Sequence, residues 1–339
     1  MTQGLGNATK PFGLPRNQSH LPLHKPLAPA FTLFDPLALP PYLQGCVVAI
    51  GNFDGVHRGH RAVIERAQAV ARAHGRPCAV LSFEPHPADF FAAQKVIFRL
   101  TPVSDKAQAL ARLGVQGLIV LTFDARLAAL TAEQFVKQVL VTQLDVAGVV
   151  AGYDFHFGKA RQGTPEFLVE AGRRYGFDVE IVARIAEDAE GALEAVSSTA
   201  TRDALAKGDV ARAAMLLGHA WSVSGIVEHG KKLGRHLGFP TANLRLDPSC
   251  GLLPGIYAVR VVARGITYGG VASFGHRPTF DNGALLLEVM LFDFSGDLYS
   301  ATLTVAFIGF IRAEARFASA EALVAQMQQD VADAHALLA

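Results

Sequence analysis

The sequence predicts an α/β module followed by a mostly β module: a Rossmann-like parallel sheet first, then a small β-barrel with a terminal helix. The chain has 339 residues, 50% hydrophobic and 18% charged, which is long for one domain and apolar enough for two cores. Strand-like and helix-like runs alternate from Cys46 to about Ala183, and short β-prone runs follow after about His219.

Continuous apolar runs predict the strands of the first module, because strands that are buried on both faces lack polar alternation. Apolar residues at helical spacing, such as Val63, Ala67 and Val70, lie between these runs. Strands that alternate with helices form a parallel sheet whose ligands bind beyond the carboxyl ends of the strands. The predicted strands are Cys46–Gly51, Cys78–Phe83, Leu118–Phe123, Gly148–Tyr153 and Val179–Ala183.

Short, evenly spaced strands predict a small closed or nearly closed barrel in the second module. The turn signal Asp281-Asn282-Gly283 predicts a hairpin tip between two of the strands. An apolar stripe from Ala320 to Leu338 predicts one terminal helix, with Ser319 as its N-cap. The predicted strands are Trp221–Val227, Tyr257–Val262, Val271–Phe274, Leu285–Phe292 and Leu303–Ile308.

Composition limits the class of protein. A net charge of +1 argues against a nucleic-acid-binding protein, and apolar stretches such as Gly117–Phe123 are too short to span a membrane. Cys46, Cys78 and Cys250 form no CxxC pair, so we expect a reducing, cytoplasmic location. We also expect a monomer or a weak homo-oligomer. Residues 1–40, rich in Pro, Gly, Asn and His, predict a mostly disordered leader, for which organelle targeting remains an alternative.

The run Gly51–His60, GNFDGVHRGH, is the most informative stretch of the chain. It lies between a β-branched segment and a helical pattern, so His57 and His60 share one face of the first helical turn. The helix dipole suits a phosphate there, and the glycines allow close backbone approach, whereas the alternative is two surface histidines. Strand, turn and histidine pair resemble the nucleotide site of HIGH-type nucleotidyltransferases. The further candidate phosphate contacts are Gly51, Phe53, Asp54, Gly55 and Gly59.

Three more clusters follow the first-module strands. His86 lies in a Pro-flanked loop after the second strand, and Asp154 lies in a glycine-flanked loop after the fourth. Ser198, Thr199 and Arg202 combine hydroxyls, backbone amides and a guanidinium at a helix start, which can hold a triphosphate or pyrophosphate. For the hydroxyl residues alone, an ordinary N-cap is the favoured alternative.

A zinc site made of His57, His60 and His86 is the main chemical alternative. HxxH spacing without a local Cys or carboxylate partner is a weak zinc signal, so phosphate binding is the preferred interpretation. No Walker sequence GxxxxGK[ST] occurs, which excludes a P-loop enzyme.

The second module has its own polar segment, GKKLGRHLGFPTAN. Its glycines and basic residues, including Gly234 and Arg235, could fold over phosphates as a flap, or could form a solvated surface loop. Thr241 and Asn243 offer neutral oxygens on one side of an extended strand, which suits Mg²⁺ and phosphate. Further on, Glu288 is a lone carboxylate in an apolar strand and is either exposed or a general base toward an alcohol.

Together, these motifs resemble those of the bacterial bifunctional riboflavin kinase/FMN adenylyltransferases (FAD synthetases), in order from about residue 45 to the C-terminus. The resemblance implies that riboflavin and ATP give FMN, and that FMN and ATP then give FAD and pyrophosphate, with Mg²⁺ accompanying ATP. The matching segments are Gly51–His60, Phe83–Pro87, Gly152–Lys159, Ser197–Arg202, Gly234–Asn243, Leu253–Tyr257, Gly275–Thr279 and Leu287–Tyr299. The predicted division is a leader at 1–40, an adenylyltransferase domain at 41–205, a helical linker at 206–218 and a kinase domain at 219–339.

The resemblance also implies roles for individual residues. His57 and His60 would contact ATP phosphates, with Ser198, Thr199 and Arg202 around the leaving pyrophosphate. His86 and Asp154 would contact flavin or nucleotide. In the kinase module, Thr241 and Asn243 would hold Mg²⁺–ATP and Glu288 would be the base. The partners implied are ATP and flavins.

Five positions depart from the common family pattern without removing a proposed catalytic residue, so they bear on rates and pocket details. Two alternatives stay open at this point: an enzyme with only the kinase activity, and a non-catalytic flavin or nucleotide sensor. The departures are Thr201, Ser273-Phe274, Met290 and Ser300.

Overall fold

A computed structural model describes residues 32–34, 39–92, 97–186, 195–229, 239–276 and 285–339. The strands of the first module are β1 (Thr32–Phe34), β2 (Val47–Ile50), β3 (Cys78–Glu84), β4 (Gly117–Thr122), β5 (Gly148–Gly152) and β6 (Asp178–Val182). They form one parallel sheet in the order β1-β4-β3-β2-β5-β6, which confirms the predicted Rossmann-like class.

Both faces of the sheet are covered at β2 to β5, which is why these strands are largely apolar, whereas β6 carries Asp178 and Glu180. Val48 and Ile50 of β2 pack into one core, whereas Val47 and Ala49 pack into the core on the opposite face. The helices of this module are α1 (Arg58–His74), α2 (Pro87–Phe91), α3 (Val103–Arg112), α4 (Ala125–Ala129), α5 (Ala132–Phe135), which continues as a π-helix (Val136–Gln143), and α6 (Pro165–Tyr175).

The strand order reverses at β2, which has β3 on one side and β5 on the other. A crevice forms at such a switch point, beyond the carboxyl ends of the strands. Gly51 leaves β2 at that end, and α1 begins at Arg58 and ends at Gly75, whose left-handed φ of 62° stops the helix. The fold therefore places the histidine-containing turn at the edge of the sheet that binds ligands.

One short strand, β1, lies within the segment predicted to be a mostly disordered leader. Thr32–Phe34 pairs in parallel with Leu118–Val120 of β4. Without β1, the free edge of β4 would present unpaired backbone groups, and even a short strand satisfies them. Three residues are too few to show a periodic pattern, so the sequence carried no strand signal there. The rest of the predicted leader up to residue 38 lies outside the described residues.

The second module is an antiparallel sheet in the order β7-β12-β9-β10-β11-β8. A bridge between Glu228 and Asn243 brings its two edges together, so the predicted nearly closed barrel is confirmed. β8 includes Asn243, for which an extended strand was predicted, and the predicted turn at 281–283 lies outside the described residues. The strands are β7 (Ser222–Ile226), β8 (Ala242–Arg245), β9 (Gly255–Ala263), β10 (Ile266–His276), β11 (Leu285–Leu291) and β12 (Thr302–Arg312).

The predicted terminal helix is α9 (Ala320–Leu338), and Ser319 caps it by accepting a hydrogen bond from the Ala322 amide. Its most buried side chains include Asp330, which an apolar stripe does not predict. Arg312 of β12 explains this burial, because its Nε and one terminal nitrogen each lie 2.7 Å from an Asp330 carboxylate oxygen.

Two helices connect the modules, α7 (Ser198–Ala206) and α8 (Val210–Leu217). The region predicted as a linker is helical, but it is not merely a connector. Leu205, Val210 and Ala213 belong to the same buried core as the interior of the barrel. The apolar stripe of α8 therefore covers one end of the barrel, and the barrel core extends upstream of residue 219.

Two predictions made from composition concern the cysteines and membrane-spanning segments. Cys46, Cys78 and Cys250 are free thiols, and burial raises the pKa of Cys46 and of Cys78 to about 12. Among the described residues, no helix combines the length and apolar character that crossing a bilayer requires.

Candidate active sites

His57 and His60 form a stacked pair at the start of α1. Their ring centroids are 3.5 Å apart with an interplanar angle of 17°, and His57 Nδ1 accepts a hydrogen bond of 3.2 Å from the His60 amide. His57 is thus the N-cap of the helix. A Cβ at Gly59 would lie 3.1 Å from His57 Cε1, so the glycine between the histidines leaves room for this ring.

Both histidines are neutral at physiological pH. Burial lowers the pKa of His57 to about 4, an effect that Asp54 partly opposes. Burial also lowers the pKa of His60 well below its usual value, and the nearby positive charges of Lys106 and Arg202 act in the same direction. Because Nδ1 of neutral His57 accepts a hydrogen bond, its proton is on Nε2, which is therefore a donor.

Asp54 lies inside the protein and ties two distant segments to the turn. Its carboxylate is 1% exposed and accepts hydrogen bonds from the amides of Leu100 (3.1 Å) and Thr101 (2.9 Å). Arg202 donates to the same carboxylate at 2.6 Å. The amide of Gly55 donates to Thr101 Oγ1 at 3.0 Å. These contacts fix the turn between β2 and α1 from the protein side.

The start of α7 lies beside the same turn. Ser197 is its N-cap, as the alternative interpretation held, while Ser198 Oγ donates to the carbonyl oxygen of Asp54 at 2.8 Å. Thr199 is exposed. Arg202 also donates to the carbonyl oxygen of Phe98. The structure therefore places these predicted residues beside the histidine pair. The Arg202 guanidinium donates its hydrogen bonds to oxygens of the protein itself.

A buried polar network supports the floor of this site. Lys106 is 1% exposed, and its Nζ donates to the carbonyl oxygen of Asn52 at 2.8 Å and lies 3.6 Å from a Glu84 carboxylate oxygen. Burial lowers the pKa of Lys106, whereas Glu84 raises it. The side-chain amide of Asn52 lies 3.2 Å from His86 Nε2. A lysine of α3 and the histidine that caps α2 thus hold Asn52, just after β2.

His86 is half-buried, as the N-cap of α2, rather than presented to solvent. Burial lowers its pKa to about 4, and the charges of Arg99 and Arg202 contribute. Asp154 is exposed at the carboxyl end of β5. Within the described residues, His57, His60 and His86 are not part of any cluster arranged to ligate a metal.

The second cluster lies on the outer face of the barrel. Glu288 of β11 is directly opposite Asn243 of β8 and Ser273 of β10, and directly opposed residues point to the same face. Asn243 is buried and Glu288 is half-buried. Thr241, two residues before Asn243, is exposed. The register therefore brings a neutral amide, a hydroxyl and a carboxylate together.

Two neighbouring features bear on this cluster. Gly234 and Arg235 of the proposed flap lie outside the described residues. Met290, which replaces the histidine common in the resembling family, packs with Val331 and Leu338 of α9. It therefore belongs to the apolar contact between barrel and helix.

The sequence matches known families over both modules. A family model of FAD synthetase matches residues 39–200, and one of riboflavin kinase matches residues 217–338. A bifunctional riboflavin kinase/FMN adenylyltransferase of Escherichia coli K12 is 44% identical over 288 residues, 85% of this chain and 91% of that protein. The Bacillus subtilis (strain 168) protein of the same name is 36% identical over 293 residues, 85% and 91% of the two chains. The chain belongs to the bifunctional riboflavin kinase/FMN adenylyltransferase family.

A solved structure agrees with the two-module fold. The crystal structure of a protein named as a macrolide-efflux protein, from Streptococcus pneumoniae, superimposes with a TM-score of 0.80 at 31% identity. The superposition covers 90% of this chain and 99% of the chain from Streptococcus pneumoniae.

The family to which this chain belongs defines its activity. The protein phosphorylates riboflavin with ATP to FMN, and transfers the adenylyl group of ATP to FMN to give FAD and pyrophosphate. ATP and flavins are therefore its substrates.

Sequence reasoning missed Lys106, Asn52 and Trp221. Lys106 could have been found, because it lies between Val103 and Leu110 at helical spacing, and a charge in an apolar stripe is exceptional. Asn52 and Trp221 gave no such signal, since their partners lie more than thirty positions away in the chain.

Proposed function

We propose that adenylyl transfer occurs at His57 and His60, and that riboflavin phosphorylation occurs at Glu288 in the barrel. The observation that carries this assignment is the separation of the two polar clusters. The histidine pair follows a strand of the parallel sheet, whereas the Glu288–Asn243 pair spans two strands of the antiparallel one. Two phosphorus-transfer reactions on one chain thus have two distinct candidate sites.

In the first site, a phosphate oxygen of FMN attacks the α-phosphorus of ATP, and the bond to the pyrophosphate leaving group breaks. The attacker is already ionised, so this step requires no strong base. His57 Nε2–H is a preorganised hydrogen-bond donor toward the negative charge on the five-coordinate phosphorus. Because the imidazole is neutral and its proton is on Nε2, His57 can donate without a prior change of protonation state. His60 stacks on it and contributes to the same region.

Other first-site residues have supporting roles in this proposal. Ser198, Thr199 and Arg202 lie near the pyrophosphate, and the contact between Ser198 and the turn supports that position. His86 and Asp154 follow β3 and β5, the strands on either side of β2, and would contact flavin or nucleotide. The backbone of the Gly51–Gly59 turn, including Gly55, would approach the phosphates. Asp54, being buried, positions this turn.

In the second site, a neutral ribityl hydroxyl attacks the γ-phosphorus of ATP, and the bond to the ADP leaving group breaks. The hydroxyl must lose its proton, so a base is useful. Glu288 would accept the hydroxyl proton. Thr241 and Asn243 would hold Mg²⁺ with ATP, because their neutral oxygens beside a carboxylate match the preference of this cation for oxygen ligands. Bound Mg²⁺ would neutralise phosphate charge. Gly234 and Arg235 would cover the phosphates.

A reciprocal pair of substitutions tests the assignment. His60→Ala should lower FAD formation from supplied FMN by roughly 10²–10³-fold, the usual loss for one donor to a developing oxyanion, with FMN formation within a few-fold. Glu288→Gln should lower FMN formation by roughly 10²–10⁴-fold with little effect on FAD formation. Chromatographic separation of flavins after incubation with Mg²⁺–ATP measures both steps.

The matched controls are His74→Ala at the exposed end of α1 and Glu170→Gln on the surface of α6, which should leave both reactions nearly unchanged. A parallel loss of both activities in either folded test variant would contradict two separate sites. Kinase activity of Glu288→Gln within about two-fold of the parent would mean that Glu288 is not the base.

A further inference from the structure

The only tryptophan of the chain connects the barrel to the adenylylation site. Trp221 is 2% exposed, belongs to the barrel core and stacks on Phe307 of β12 at 5.1 Å between ring centroids. Its indole Nε1 donates a buried hydrogen bond of 3.0 Å to the carbonyl oxygen of Leu100, a residue of the first module. Phe98 packs edge-on against the same indole.

Leu100 is part of a bridging segment (residues 97–101) that reaches the phosphate turn from its other side. The amides of Leu100 and Thr101 both donate to the Asp54 carboxylate, and Thr101 Oγ1 accepts from the Gly55 amide. One peptide segment therefore has its carbonyl held by the barrel and its amides held by the turn.

The packing around Gly55, where the bridging segment meets the turn, leaves little room for a side chain. A Cβ at Gly55 would lie 3.0 Å from Leu100 Cδ1 and 3.0 Å from Leu217 Cδ2, and Gly55 has a φ of 88°. Val56 next to it also has a positive φ, of 44°, which costs energy for a β-branched residue. Such a conformation persists only where surrounding contacts impose it, and here these contacts come from the bridging segment and α8.

We propose that Trp221 is a positioning residue for adenylyl transfer, although it belongs to the kinase module. It acts through Leu100 and Asp54 on the turn that ends in His57, and touches no substrate itself. The adenylylation site is thus completed by the second module. Because a misplacement of about 1 Å in such a site can cost on the order of 10²-fold in rate, loss of this support should lower kcat.

Trp221→Phe in the full chain tests the proposal, because it removes the indole N–H and keeps an aromatic ring on Phe307. Adenylylation kcat should fall roughly 10–100-fold, while KM for FMN changes less than about three-fold, since the support acts on the phosphate turn. Kinase kcat should remain within about two-fold of the parent.

Tyr257→Phe is the matched control. The Tyr257 hydroxyl donates to the carbonyl oxygen of Leu253 in the same core, but this contact stays within the second module. Both substitutions remove one hydrogen bond of the core, and Trp221→Phe also removes ring volume. The free energy of unfolding of each variant is therefore measured beside its activities. Tyr257→Phe should leave adenylylation within about two-fold of the parent.

The result for folded Trp221→Phe decides the proposal. Unchanged adenylylation, or an equal fall of both activities, would overturn it, as would an equal adenylylation loss in Tyr257→Phe. Should Trp221→Phe fail to fold, Thr101→Val decides instead, because it removes the acceptor of the Gly55 amide and keeps the side-chain shape. Thr101→Val should then lower adenylylation kcat selectively, and unchanged adenylylation would refute the proposal.

Discussion

Lowering the pH from 7.5 to 5 should destabilise this protein more than its His57→Asn variant. The pKa of His57 is about 4 in the folded protein, against 6.5 for an ordinary histidine. Below pH 6.5 the unfolded chain therefore binds a proton that the folded protein does not. The resulting loss of unfolding free energy begins near pH 6.5 and continues down to about pH 4.

The magnitude follows from the size of the shift. Two and a half pKa units correspond to about 3 kcal/mol once both states are titrated, and to about 2 kcal/mol at pH 5. Asparagine at position 57 keeps an oxygen near the position of Nδ1, which can still accept from the His60 amide, and it does not titrate.

Urea unfolding followed by far-UV circular dichroism at several pH values measures the difference. The free energy of unfolding of the parent minus that of His57→Asn should fall by about 2 kcal/mol between pH 7.5 and pH 5. His156→Asn is the control, because burial is the cause of the effect and His156 is exposed. A parent–variant difference that stays constant within about 0.5 kcal/mol over this range would refute a buried neutral His57.

Two further predictions concern the supports of the sites. Lys106→Met should destabilise the protein by about 1–3 kcal/mol in urea unfolding and should lower FAD formation, because the Asn52 carbonyl loses one of its two side-chain donors and keeps only Ser82. The control, Lys137→Met at an exposed position, should do neither. A fragment of residues 208–339 should fold and form FMN without FAD. A shorter fragment of residues 215–339 lacks Val210, which is buried in the barrel core, so its free energy of unfolding should be lower by at least about 2 kcal/mol. Equal stability of the two fragments would contradict the contribution of α8 to that core.

The sequence predicted the elements whose signal is local. β2 to β5 are largely apolar because both sheet faces are covered there, and the histidine turn follows β2 because parallel sheets bind ligands at that edge. β1, with three residues, was too short for a periodic signal, and its pairing with β4 creates it.

The roles of single residues were harder to predict, because their partners are distant in the chain. Asp54 was expected to face a phosphate, yet its carboxylate is buried against Arg202, 148 positions away. Trp221 reaches Leu100 across 121 positions. Sequence spacing indicates which residue types share an element, but long-range packing decides whether a polar group faces a ligand or the protein.

The ionisation of the attacking group would explain why the two proposed sites use different residues. In adenylyl transfer the FMN phosphate is already an anion, so a carboxylate beside it would repel it, whereas neutral donors such as His57 can stabilise charge without removing a proton. In riboflavin phosphorylation the attacker is a neutral hydroxyl, so a carboxylate such as Glu288 is useful as a base. Burial of His57 fits this difference, because burial keeps the histidine uncharged. In this proposal, one chain can run both reactions because the two sites lie on separate sheets and so have distinct environments.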